Sequence, residues 1–215
     1  MTRIHLDQWY RIWMRYDLTG RTVEHLSMFV TALVIAVLIG LTLAILTYQK
    51  EKTGKLMLMC LNTLETFPDL ALLTLLIPLA GIGKLPTIIA CILYSLLPIT
   101  RNAWTGLRTI PSKQIEVGDA LGLTDRHILV TIRLPLALPL IMGGIRIAVV
   151  FTMGIITLGG IIGAGGLGAP LQTGIFTFNL DLIVVVGLWV GFLAVILDGV
   201  AALVENRIKK RFNND

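Results

Sequence analysis

The sequence predicts an all-α protein that crosses a membrane about five times. Composition points there first: hydrophobic residues make up 55% of the 215 positions and charged residues only 14%, where a soluble domain carries roughly 25% charged residues. Mean hydropathy is +0.84. Apolar runs of about 18 or more residues recur from position 26 almost to the C-terminus, each long enough to cross a hydrocarbon core as a helix. The runs are continuous rather than alternating, which excludes a β-barrel. Basic residues lie between the apolar runs instead of along one face, so the net charge of +5 does not point to nucleic acid.

Residues 1–21 form a polar tail. Trp9, Tyr10, Ile12, Trp13 and Tyr16 alternate with Arg3, Arg11, Arg15 and Arg21, as expected of an amphipathic segment lying on a membrane surface. The tail has no short apolar core ending in small residues, so no cleaved signal peptide is expected. Residues 22–206 carry the predicted spans: Leu26–Tyr48, Leu56–Leu79, Leu85–Leu107, Leu134–Leu158 and Leu182–Val204. Residues 207–215 form a basic tail.

Sidedness follows from the basic residues in the loops. Lys50, Lys52 and Lys55 follow span one, and Arg108, Lys113, Arg126 and Arg133 separate spans three and four. Arg207, Lys209, Lys210 and Arg211 end the chain, whereas the two remaining loops offer only Lys84. This alternation predicts a cytoplasmic C-terminus and an external N-terminus. The four arginines of the N-terminal tail run against it.

The polar stretch 111–133 reads as two short helices. Ser112 is a candidate N-cap after Pro111, Gly122 suits a left-handed helix end, and Thr124 caps a second helix with Asp125 in its first turn. Pro135 and Pro139 follow where the chain enters the membrane. Glu116-Val117-Gly118, three residues, Gly122, nine residues, then Ile132-Arg133-Leu134-Pro135 resembles the EAA loop of ABC importer permeases. Val117-Gly118 replaces two alanines, and Gly inside a helix costs on the order of 1 kcal/mol, so the first helix is expected to be loosened.

The resemblance implies a type I ABC importer permease fold in a bacterial cytoplasmic membrane, with 111–133 as a cytoplasmic coupling helix. Glu116, Gly122, Ile132, Leu134 and Pro135 are then the ATPase-coupling residues. Implied partners are two ATPase subunits, which hold ATP and Mg, a second permease copy or paralogue, and an extracytoplasmic solute-binding protein. The chain itself has no phosphate loop, no nucleophile–base pair and no metal-ligand spacing around His5, His25 or His127, and it holds no cofactor of its own. Cys60 and Cys91 are isolated and form no disulfide framework.

The stretch Pro68 to Leu107, then LPLALPLIMGGIR (134–146) and IIGAGGLG (161–168), resembles more narrowly the permeases that import glycine betaine, carnitine and choline. Permeases for methionine or another amino acid share the EAA loop and remain the alternative. An ion-coupled secondary transporter would need inverted repeats, and none is readable.

Four further groups have two readings each. Glu65 is about 14 Å into span two, near mid-membrane, and Asp69 is one turn on. They line the path of a cationic headgroup, or they pair with Arg146, which lies about 18 Å into span four. Similar permeases carry Gln and Ser there, which argues against an essential role. Pro68 and Pro78 kink or break span two, which a membrane tolerates where the backbone is buried or lines a cavity. Gly163, Gly165, Gly166 and Gly168 either form an outer turn that docks the binding protein or gates the path, or continue a Gly159-x-x-x-Gly163 packing face. Without a βαβ unit they are no dinucleotide site. Tyr94, Trp104 and Trp189 are more simply interfacial anchors than an aromatic cage.

Overall fold

A computed structural model describes residues 2–212, with side chains from 7 to 211. The side chains of Arg3 and His5, and the last three residues of the basic tail, fall outside what is described. The helices are α1 (Thr2–Arg15), α2 (Leu18–Thr47), α3 (Glu51–Glu65), α4 (Asp69–Ala80), α5 (Lys84–Arg108), α6 (Ser112–Ala120), α7 (Asp125–Ile128), α8 (Leu134–Gly159), α9 (Gly168–Phe176) and α10 (Leu180–Phe212). A π-helical turn (Leu129–Arg133) joins α7 to α8, and a 3-10 turn (Gly160–Ile162) follows α8. No strand occurs among the described residues.

α2, α5, the continuous run Asp125–Ile162 and α10 are each long and apolar enough to cross a membrane. The expected second span is not one helix: α3 and α4 meet at a bend of 95°. Pro68 is the cause. It has no N–H to continue the ladder and holds itself extended at φ −63, ψ 137. Pro78 lies inside α4 without ending it. Two other boundaries move. α2 begins at Leu18 after Asp17, whose carboxylate accepts the Gly20 N–H at 3.1 Å. α10 runs unbroken through the expected edge at 206/207.

The core is built around α5, whose Ala90, Cys91, Tyr94, Leu97, Ile99, Ala103 and Leu107 are buried against α2 and α8. Small residues let the backbones approach. A Cβ on Gly40 of α2 would come within 2.8 Å of Ile99, and one on Gly144 of α8 within 2.5 Å of the Pro98 carbonyl.

Arginines close one end of the bundle. Arg108 donates to the Tyr48 carbonyl at 2.9 Å and Arg133 to the Leu107 carbonyl at 2.8 Å. These are the last turns of α2 and α5, whose carbonyls lack helical partners and attract cations. At the other end α1 packs on α10, with Trp13 edge-on to Trp189 at 4.8 Å and Gln8 hydrogen-bonded to Asp181. The α1 tail therefore sits at the end opposite α6.

Candidate functional site

α6 is exposed along nearly its whole length, and its only buried residue is Gly118. A Cβ there would lie 2.9 Å from Ile132 Cδ1 and 3.2 Å from Ile128 Cγ1. The helix forms across this glycine, whose missing side chain lets α6 sit directly on Ile128 and Ile132 at the root of α8. The helix then stops as expected. Gly122 turns left-handed at φ +72, the Leu123 N–H bonds the Gly118 carbonyl at 3.1 Å, and the Gly122 N–H bonds the Asp119 carbonyl at 2.9 Å, a Schellman end.

Pro111, not Ser112, precedes the first turn of α6. Thr124 caps α7, its Oγ1 accepting the His127 N–H at 3.4 Å. Pro135 cannot donate to the Thr131 carbonyl, and the π turn before it, closed by Leu134 N–H to the Leu129 carbonyl, absorbs the misfit. Ile132 thus touches α6, while Leu134 and Pro135 open α8. Glu116 is exposed beside Val117 and Leu121, which are 56% and 74% exposed, and it forms no ion pair among the described residues.

The break in span two opens on a cavity of about 580 Å³ lined by Glu65, Asp69, Tyr94, Phe151, Gly154 and Thr157, among others. Glu65 ends α3 and Asp69 starts α4, so the bend at Pro68 turns both carboxylates to one space. The Tyr94 hydroxyl donates to the Phe67 carbonyl at 2.6 Å, tying the irregular backbone to α5. Neither carboxylate has an ion-pair partner among the described residues.

Arg146 does not join them. Its guanidinium grips Asp198 of α10 with two hydrogen bonds, at 2.6 and 2.9 Å, and reaches Glu205 at 3.5 Å. The pairing of Arg146 with span two is therefore overturned, and its place is a brace between α8 and α10. The sequence reading passed over Asp198, although an acid in the middle of the fifth apolar run is itself a signal. Tyr94, Trp104 and Trp189 also stay apart: Trp104 donates to the Thr47 carbonyl at 3.3 Å and Trp189 to Thr22 at 2.8 Å, so no cage forms.

The glycine run turns the chain back from Gly163 on, while Gly159 keeps a packing role, since a Cβ there would come within 2.5 Å of Thr87 of α5. Gly163, Gly165 and Gly166 all have positive φ, at 76°, 84° and 56°. Gly168 must be bare because a Cβ there would strike the Thr157 carbonyl at 2.2 Å. Glu24, another residue the sequence reading passed over, anchors this turn. Its carboxylate accepts the Gly166 N–H at 2.7 Å and pairs with Lys84 at 2.7 Å and Arg21 at 3.2 Å. It ties α2, the start of α5 and the turn together.

A bundle of about five spans, one of them broken over a cavity, with an exposed bracket helix at one end, has the architecture of a membrane permease. Residues 26–210 match the family described as the binding-protein-dependent transport system inner membrane component, and the chain belongs to that family. The choline transport system permease protein OpuBB of Bacillus subtilis (strain 168) is 34% identical to it over 192 residues, 89% of this chain and 88% of that protein. The osmoprotectant import permease protein OsmW of Salmonella typhimurium is 38% identical over 186 residues, 84% of this chain and 86% of that protein. A structure of the MetNI methionine ABC transporter in inward-facing conformations superposes with a TM-score of 0.79 at 25% identity, covering 89% of this chain and 96% of that one. A crystal structure of an amino acid ABC transporter with histidines shares the fold, with a TM-score of 0.70 at 15% identity over 95% of this chain and 97% of that one. The fold is that of type I ABC importer permeases.

Proposed function

We propose that this chain is the permease subunit of an ATP-driven importer of quaternary ammonium osmoprotectants, of the glycine betaine, carnitine and choline type. The relatives at 33–38% identity over most of the chain support the solute class. The observation that carries the mechanism is α6, an exposed helix seated through Gly118 on the root of α8. It works as a lever. Glu116, Val117 and Leu121 face an ATPase subunit, and Gly122, Ile132, Leu134 and Pro135 fix the angle at which α6 meets the span.

The complex pairs this chain with a second permease copy or paralogue, two ATPase subunits that bind ATP and Mg and carry out hydrolysis, and an extracytoplasmic solute-binding protein. The C-terminus and α6 face the cytoplasm. The α1 tail and the glycine turn face outward, where the turn receives the binding protein. Solute passes the cavity at the broken span, beside Glu65, Pro68 and Asp69.

The test is uptake of labelled glycine betaine, carnitine and choline by proteoliposomes holding this chain with its co-purifying subunits, with and without internal ATP. ATP-dependent accumulation of any of the three is the expected result. ATP-dependent uptake of an amino acid but of none of these would keep the lever and discard the solute class. Uptake driven by an ion gradient without ATP would overturn the proposal.

A further inference from the structure

We infer that Glu65 and Asp69 make the permease select by charge, favouring ammonium cations without a carboxylate, as in choline, over zwitterions that carry one, as in glycine betaine. This rests on the quaternary ammonium reading above and names the charge class that the membrane cavity accepts. Both acids face one cavity across Pro68. Arg146, the arginine between α8 and α10, is engaged elsewhere by Asp198 and Glu205, and the exposed Arg101 donates to the Asn62 side chain at 3.1 Å. Two like charges on one wall repel each other, and a cation entering beside them relieves both.

A quaternary ammonium donates no hydrogen bond, so it needs only opposite charge and apolar or aromatic contact. The wall supplies that contact with Tyr94, Phe151, Ile155 and Leu158. A solute carboxylate finds the reverse. The side-chain hydroxyls of the wall are already donating, Tyr94 to the Phe67 carbonyl at 2.6 Å and Thr157 to the Met153 carbonyl at 2.8 Å. The N–H groups that open α4 have the Asp69 carboxylate in the same first turn. At about 580 Å³ the cavity is roomy for either solute, so charge rather than size discriminates.

The experiment compares choline and glycine betaine uptake by the whole transporter in proteoliposomes. The binding protein is saturated with each solute in turn, so that its own preference drops out. In the double variant Glu65→Gln/Asp69→Asn the choline-to-betaine ratio of maximal rates is expected to fall by about tenfold, while betaine uptake holds or rises. The charge-keeping variant Glu65→Asp retains the wild-type ratio. An equal fall for both solutes, or an unmoved ratio, overturns the inference.

A second readout separates it from the solute class. Gly154 lines the cavity and has open space for a Cβ. In a Cys60→Ser background, which removes the exposed thiol, tetramethylammonium should slow thiol modification of a Gly154→Cys variant. Uncharged 3,3-dimethylbutan-1-ol, the carbon isostere of choline, should not, and the protection should vanish when both acids are neutralised. Protection in a transporter that carries no quaternary ammonium would uphold the cation site while refuting the solute class. Equal protection by both probes, or none by either, would refute the cation site.

Discussion

At Gly118 the absence of a bulky side chain lets α6 rest against Ile128 and Ile132. Alanine there would press on Ile132 Cδ1, the mobile tip of a side chain, and it would also gain about 1 kcal/mol of helix propensity. Gly118→Ala is therefore expected to keep uptake near wild type. A branched or longer chain has no such exit: overpacking costs about 1–3 kcal/mol, and Gly118→Leu should lower ATP-dependent uptake by about tenfold at unchanged membrane level, read by transport against immunoblot. Arg146 makes the opposite point. It holds Asp198 and Glu205 at once, so Arg146→Ala leaves two carboxylates without that partner between α8 and α10, although Lys209 still reaches Glu205 at 2.6 Å. Thermal unfolding in detergent should show Arg146→Ala less stable than wild type, with part of the loss recovered in Arg146→Ala/Asp198→Asn, where one unpaired charge is gone. A double variant less stable than the single would contradict that assignment.

Among the elements, the spans were legible from hydropathy because a bilayer demands long apolar helices whatever their neighbours. The capping pattern of α6 and α7 was legible too, since Gly122 and Thr124 act on their own backbone. What hydropathy could not supply was rotation about each helix axis. Glu65, Asp69 and Arg146 lie at similar depths, and depth alone made them plausible partners; their helices point them to different neighbours. The break in span two was half visible, as two prolines with equal claims. Pro68 breaks the span because the segment before it leaves the helix at Thr66 and Phe67, whereas Pro78 sits inside α4 close to its C-terminal end. Pro68→Ala restores an N–H and removes the bias against helix in the preceding residue. It should favour a straighter α3–α4, with the two carboxylates stacked one turn apart on a single helix face instead of meeting across the bend. The expected outcome is reduced uptake with normal insertion, and unaltered uptake would show that the bend does not depend on the proline.

Over the whole molecule, α7, the π turn and α8 form one continuous helical run from Asp125 to Ile162. α6 rests on its first turns through Ile128 and Ile132, and its far half supplies Val150, Phe151 and Gly154 to the cavity wall. On the proposed lever, a displacement of α6 is carried along this run to that wall. Glu116→Lys reverses the charge on the exposed face without touching the seat at Gly118, so it should abolish coupled uptake while the protein remains inserted and folded. The most direct measurement is the modification rate of Gly154→Cys, in the Cys60→Ser background, in the full transporter with and without ATP and vanadate. The lever predicts that trapping the ATPase changes this rate, and that adding Glu116→Lys removes the change. A rate indifferent to trapping, or a change that survives Glu116→Lys, would contradict it.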